Sequence, residues 1–136
     1  MGKVLGVGVD LVDLGRFTRL HRRYGGSLRK LAFHDHEVTV VGGDPAKLAA
    51  LYAVKECVAK ALGVGLHYMS EEGISPRDVE ARTVVDGRAC IVLHGRAGAI
   101  SERVGIRQWD ISYSICGPYA LAQAIASGDR GSSGTV

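Results

Sequence analysis

Gly6-Val7-Gly8-Val9-Asp10 alternates with a period of two and reads as a β-strand. Leu5, Val7, Val9 and Leu11 make one face of it. Gly6, Gly8 and Asp10 make the other, so two missing side chains lead up to a carboxylate. Further along, Lys55-Glu56-Cys57-Val58-Ala59-Lys60 lies in the strongest helical stretch of the chain, with Glu56 and Lys60 one turn apart. Two carboxylates beside open backbone suit a hard divalent cation that keeps several waters and also grips a substrate phosphate. The plainer reading of Glu56 and Lys60 is an i,i+4 ion pair worth about 0.3–0.5 kcal/mol.

Working outward, the first strand spans about Val4 to Asp10 and a helix follows from Leu11 to Tyr24. Leu14, Phe17, Leu20 and Tyr24 share one side of that helix, and Arg16, Arg19 and Arg23 a neighbouring arc. Gly25-Gly26 is expected to end it, with Ser27 capping a short turn through Leu31. Phe33 to Val41 reads as a brief helix and then an extended piece, broken at Gly42-Gly43. The alanine-rich segment Ala46 to Leu62 is the clearest helix, with Asp44 as N-cap, Pro45 at the first position and Gly63 as stop. Its buried stripe is Leu48, Leu51, Tyr52, Val58 and Leu62. Lys55 falls inside that stripe, so its stem snorkels or its ammonium meets an anion or a partner subunit.

Val79 to Val85 and Cys90 to Leu93 form a hairpin across Asp86-Gly87. Ala97 to Val104 is helical. Trp109 to Cys116 and Tyr119 to Ala126 form a second hairpin across Gly117-Pro118. The fold class is α+β, a mostly antiparallel sheet packed on a long central helix. Residues 1–127 form one domain, and 128–136 a tail that is flexible by composition.

The 136 residues suffice for a single core, and 46% hydrophobic with 23% charged residues is ordinary for a globular protein. No apolar run is long enough to span a membrane and no signal-peptide pattern opens the chain, which points to the cytoplasm. Cys57, Cys90 and Cys116 are odd in number and widely spaced, so they read as reduced thiols. The net charge of +3 is mild, but Arg16, Arg19, Arg22, Arg23, Arg29 and Lys30 cluster. Such a patch attracts an anionic partner. Nucleic acid is disfavoured, because no binding motif and few stacking aromatics accompany it.

The Gly6–Asp10 motif followed by Arg16, then Lys55-Glu56-x-x-x-Lys60-Ala61-Leu62-Gly63-Val64-Gly65, resembles the holo-acyl-carrier-protein synthases. These are small, single-domain 4′-phosphopantetheinyl transferases. Asp78-Val79-Glu80, Gly87, Ser112-x-Ser114 and Tyr119-Ala120 fit the same layout, so the resemblance extends to about Ser127. It implies transfer of phosphopantetheine from coenzyme A to a serine of an acyl carrier protein with release of 3′,5′-ADP. It also implies a homotrimer with active sites at subunit interfaces. Asp10 and Glu56 would hold Mg²⁺, and Lys60 would stabilise charge at the reacting phosphate or assist deprotonation of the serine. Lys47, Gly63, Gly65, Gly87 and Arg88 would contact coenzyme A. Arg16, Arg19 and Arg23 would dock the acidic carrier protein.

Two positions depart from the family pattern. Ile115 stands where the family commonly has a histidine, and Leu51 where it commonly has an arginine. His67, His94, Lys47 and Arg88 are candidate sources of replacement charge. The alternative is a repurposed relative that binds a carrier protein, or acts on its tethered acyl chain, without transferring phosphopantetheine. Cys116 beside Ile115 reads as an inert thiol rather than a nucleophile. His34 and His36 flank Asp35 and read as exposed loop residues rather than a metal pair, and Glu37 reads as structural.

Overall fold

In the computed structural model, which describes residues 2–66 and 73–129, five strands form one antiparallel sheet. The strands are β1 (Lys3–Asp13), β2 (Val79–Val85), β3 (Arg88–Leu93), β4 (Ile106–Cys116) and β5 (Tyr119–Gly128), in the spatial order β1-β5-β4-β3-β2. Helix α1 is Leu14–Ala32, α2 is Asp35–Val40, α3 is Pro45–Ala61 and α4 is Gly95–Val104, with a short 3₁₀ turn at Pro76–Asp78. Both predicted hairpins form. At the β2–β3 turn Asp86 and Gly87 have φ of 50° and 74°, as a two-residue hairpin loop requires.

Helix α3 lies on the inner face of β1 and β5, and small residues let it come close. A Cβ on Gly6 would sit 2.1 Å from the Ala61 carbonyl oxygen, and one on Gly8 1.9 Å from that of Cys57. Opposite, Ala120, Ala122, Ala124 and Ala126 of β5 are all buried against the helix. The period-two reading of β1 therefore holds with the core on its glycine side. Val7, Val9 and Leu11 turn outward and are 56%, 53% and 54% exposed. Leu121, their neighbour on β5, is exposed as well.

Five expectations near the N-terminal half are corrected. Strand β1 runs to Asp13 rather than Asp10, because its pairing with β5 continues to Asp13 opposite Tyr119. The helix consequently begins at Leu14, and Asp13 caps it by accepting the Arg16 amide at 3.0 Å. Gly25 does not end α1. It takes φ 22° and ψ −99°, a kink across which the helix continues to Ala32. Of the presumed apolar side of α1, Phe17 is buried while Leu20 and Tyr24 remain exposed. After α2 the chain turns at Val41 to Gly43 without an extended piece.

Helix α3 keeps its expected cap, with Asp44 accepting the Ala46 amide at 3.0 Å. It is buried on most sides, as a helix apolar all round must be. Lys55 is buried to 1% exposure and meets an anion of its own chain. Its ammonium pairs with Glu37 at 2.9 Å and donates to the carbonyls of Pro76, at 2.9 Å, and Val79. Glu37, fully buried, also accepts the Ala81 amide at 3.0 Å, so one ion pair ties α2, α3 and β2 together. Burial pulls the Lys55 pKa below the usual lysine value.

Candidate active site

Asp10 leaves β1 on the helix side, just past the two glycines, and Glu56 and Lys60 leave α3 one turn apart. The three line one groove of about 520 Å³ together with Leu11, Val12, Asp13, Arg16, Phe17, Leu20 and Tyr52. The close helix–sheet contact is what brings residues fifty positions apart into reach. The Lys60 ammonium donates to Asp10 Oδ1 at 2.9 Å and to the Val9 carbonyl at 3.0 Å. Lys60 is half exposed and Asp10 is 17% exposed, so the pair opens to solvent on the lysine side.

Electrostatics separates the roles. The hydrogen bond to Asp10 raises the Lys60 pKa above the usual lysine value, outweighing its slight burial. A lysine so held is cationic at neutral pH and suits charge stabilisation better than proton abstraction. Glu56 is pushed up, first by burial and then by the Asp10 charge. Lys60 and a hydrogen bond from Tyr52 only partly offset this. Two carboxylates that repel each other in a half-open groove are hard oxygen donors with room for waters and a phosphate, which fits Mg²⁺. Cys57, the neighbour of Glu56, is no nucleophile: burial pushes its thiol up to about 12, and its sulfur donates to the Ala122 carbonyl at 3.1 Å.

Of the other predicted residues, Arg16 lines the groove, and Arg19 and Arg23 are exposed further along α1. Gly63 and Gly65 follow the same end of α3 as Lys60 without lining the groove. Lys47 lies in the first turn of α3, about 13 Å along the helix axis from Glu56. Arg88 is not brought to the groove either. It pairs with Ser112 on β4, which pairs with Gln123 on β5, which faces Val9 on β1. That places it three strand spacings from Val9 on the outer face, where it lines a second depression of about 320 Å³ with Cys90, Trp109, Asp110, Ser112 and Gln123.

Leu51 is fully buried in the cluster of Phe17, Phe33, Leu48 and Ala81, so this position points into the core and not toward a phosphate site. Ile115 is 43% exposed, in the inner-face row that continues through Ala120 to Val12 of the groove. His67 lies outside the described residues. Sequence reasoning placed Tyr52 in the core stripe. The structure packs it at the edge of that core beside Phe17 and also puts it in the groove wall, bonded to Glu56, a role that its i,i+4 spacing from Glu56 could have signalled.

Residues 6–124 match the 4′-phosphopantetheinyl transferase superfamily. The chain is 35% identical over 111 residues to the holo-[acyl-carrier-protein] synthase of Nitratidesulfovibrio vulgaris, covering 80% of this chain and 86% of that one. It is 32% identical over 127 residues to the synthase of Herpetosiphon aurantiacus, covering 92% of this chain and all of that one. The solved synthase from Neisseria meningitidis superposes with a TM-score of 0.75 at 27% identity, covering 91% of this chain and 98% of that one. A synthase–CoA complex from Chronobacterium ammoniagenes superposes with a TM-score of 0.76 at 25% identity, covering 94% and 100%. Sequence match and fold agree: the chain belongs to the 4′-phosphopantetheinyl transferase superfamily.

Proposed function

We propose that this enzyme transfers 4′-phosphopantetheine from coenzyme A to a serine of an acyl carrier protein and releases 3′,5′-ADP. The convergence of Asp10, Glu56 and Lys60 in a groove walled by the basic helix α1 carries the reading. Asp10 and Glu56 would hold Mg²⁺, which when bound supplies Lewis-acid neutralisation of the diphosphate charge. Lys60, held cationic by Asp10, offsets negative charge at the reacting phosphate. The serine oxygen gives up its proton to solvent and forms the new bond to the phosphorus that carries pantetheine, the bridging P–O bond of the diphosphate breaks, and 3′,5′-ADP departs with that electron pair. Arg16, at the groove, and Arg19 and Arg23 beyond it offer an acidic carrier protein a route in.

The working unit is a homotrimer in this reading. Arg88 and its depression lie on the outer face, beyond reach of the chain's own groove. Coenzyme A spanning both would need Arg88 from a neighbouring subunit. The outward Val7, Val9, Leu11 and Leu121 supply apolar area for that contact. Among the described residues no helix is long and apolar enough to cross a membrane, and action in the cytoplasm fits three unpaired thiols.

Intact-mass spectrometry of apo carrier protein incubated with enzyme, coenzyme A and Mg²⁺ tests the reading. A gain of one phosphopantetheinyl group, lost with EDTA, is expected. Binding to carrier proteins without any mass gain would instead favour the repurposed relative, to which Ile115 in the histidine place gives its support.

A further inference from the structure

At the opposite edge of the sheet from Asp10, His34, Glu80 and His94 converge from three places in the sequence. One ligating atom from each lies within 4.8 Å of the other two. His34 precedes α2, Glu80 is in β2 and His94 joins β3 to α4. We propose that these three residues bind a divalent ion of the zinc class, one per chain, at a site independent of Asp10 and Glu56. Four strand spacings, about 19 Å, separate β2 from β1.

The surroundings are organised as a metal-binding histidine site requires. His34 Nε2 is 2.7 Å from the Arg77 carbonyl, to which it can only donate. That fixes the tautomer and makes Nδ1 the ring's acceptor, which faces the Glu37 amide in the α2 capping box, a contact that a bound ion would replace. The Arg77 guanidinium is a distant 3.5 Å from Nδ1 and is held independently by the carbonyls of Phe33, at 2.6 Å, and Lys30, at 3.1 Å. Glu80 is buried to 7% exposure. Its Oε2 is held by Arg82 at 3.2 Å, which leaves Oε1 facing His94 Nε2 at 2.8 Å. An ion there would replace the proton shared by that last pair, releasing it to solvent.

Metal choice follows from the neighbours. Arg82 and buried Lys55 place positive charge beside Glu80. A hard ion held by charge alone, such as Mg²⁺, gains little here. A borderline-soft ion that bonds imidazole nitrogen is selected, with three protein ligands and a fourth position left for water. Tetrahedral ligands about zinc stand about 3.3 Å apart, so the Glu80–His94 pair, at 2.8 Å, opens by about 0.5 Å while the other pairs close by no more than about 1.5 Å.

The test is a Co²⁺ titration of the full chain, followed by the visible absorption of four-coordinate cobalt and by competition with Zn²⁺. A Cys90→Ser, Cys116→Ser background removes the exposed thiols as ligands. One four-coordinate Co²⁺ per chain is expected, displaced by Zn²⁺ and not by excess Mg²⁺, which occupies Asp10 and Glu56. His34→Ser retains a good N-cap for α2 and is expected to weaken binding more than about a hundredfold, beyond the loss of an outer-sphere partner. His94→Asn should do the same, while Asp10→Asn with Glu56→Gln leaves binding unchanged. Parent-like affinity in both histidine variants, with circular dichroism showing them folded, would overturn the site. So would an absence of cobalt absorption in the parent.

Discussion

Glu56 carries a pH signature of its own. Burial and the Asp10 charge raise its pKa, so the folded chain keeps a proton that the unfolded chain has already lost. Its contribution to stability is fully present below the unfolded glutamate value and is lost as pH rises through the folded one. Once ionised, Glu56 destabilises the metal-free protein. Glu56→Gln is therefore expected to raise the thermal midpoint at pH 7 in EDTA and to change it little near pH 4, about the ordinary glutamate value. The same variant, like Asp10→Asn, should abolish carrier-protein modification. An unchanged midpoint at pH 7 would mean that the carboxylate is not strained by ionisation. The two family departures behave differently at this scale. Leu51→Arg would bury a charge without a partner and should cost roughly 3–5 kcal/mol of stability, read by urea denaturation. Ile115→His, at a half-open position, should fold normally and can be read for KM toward coenzyme A.

At the scale of elements, the helix–sheet seam controls the site. Gly8→Ala would drive a methyl into the Cys57 carbonyl and push α3 off β1. Loss of several kcal/mol, at least about 3, is expected by denaturation, together with loss of transfer, since Asp10 and Glu56 part. Helix α3 and both hairpins were legible because local signals agreed: cap, alanine content and turn residues pointed one way. The start of α1 was not legible. Leu11 and Val12 suit a strand or a helix equally, and the deciding fact is their pairing with β5, which no local pattern encodes. Gly25-Gly26 misled for a related reason, since packing on either side carries α1 through a kink that propensity alone would turn into an end. The exposed arc of α1 yields a separate expectation. Arg16→Glu with Arg19→Glu should raise KM for the carrier protein at low salt and leave coenzyme A binding intact. KM unchanged at low salt would remove α1 as the docking surface.

The whole molecule presents a sheet with one covered and one open face. The carboxylates and Lys60 were legible in sequence, but which face of β1 is the core was not, because an alternating strand with valines on one side ordinarily buries the valines. Here the closely packed helix takes the glycine side and the valines stay exposed, the face on which the proposed homotrimer would close. Val9→Glu with Leu11→Glu should therefore convert a trimer into monomers in sedimentation analysis, with helix content retained and transfer lost. A parent that already sediments as a monomer would refute the assembly. The thiols divide along the same line. Cys57 is sealed between α3 and β5, whereas Cys90 and Cys116 are exposed, in register with the outward Arg88 and Ser112 of their strands. The protein thus carries its own reporters. A thiol reagent finds Cys57 only when the chain unfolds, while Cys90 and Cys116 react in the folded chain, so the two rates separate unfolding from surface labelling.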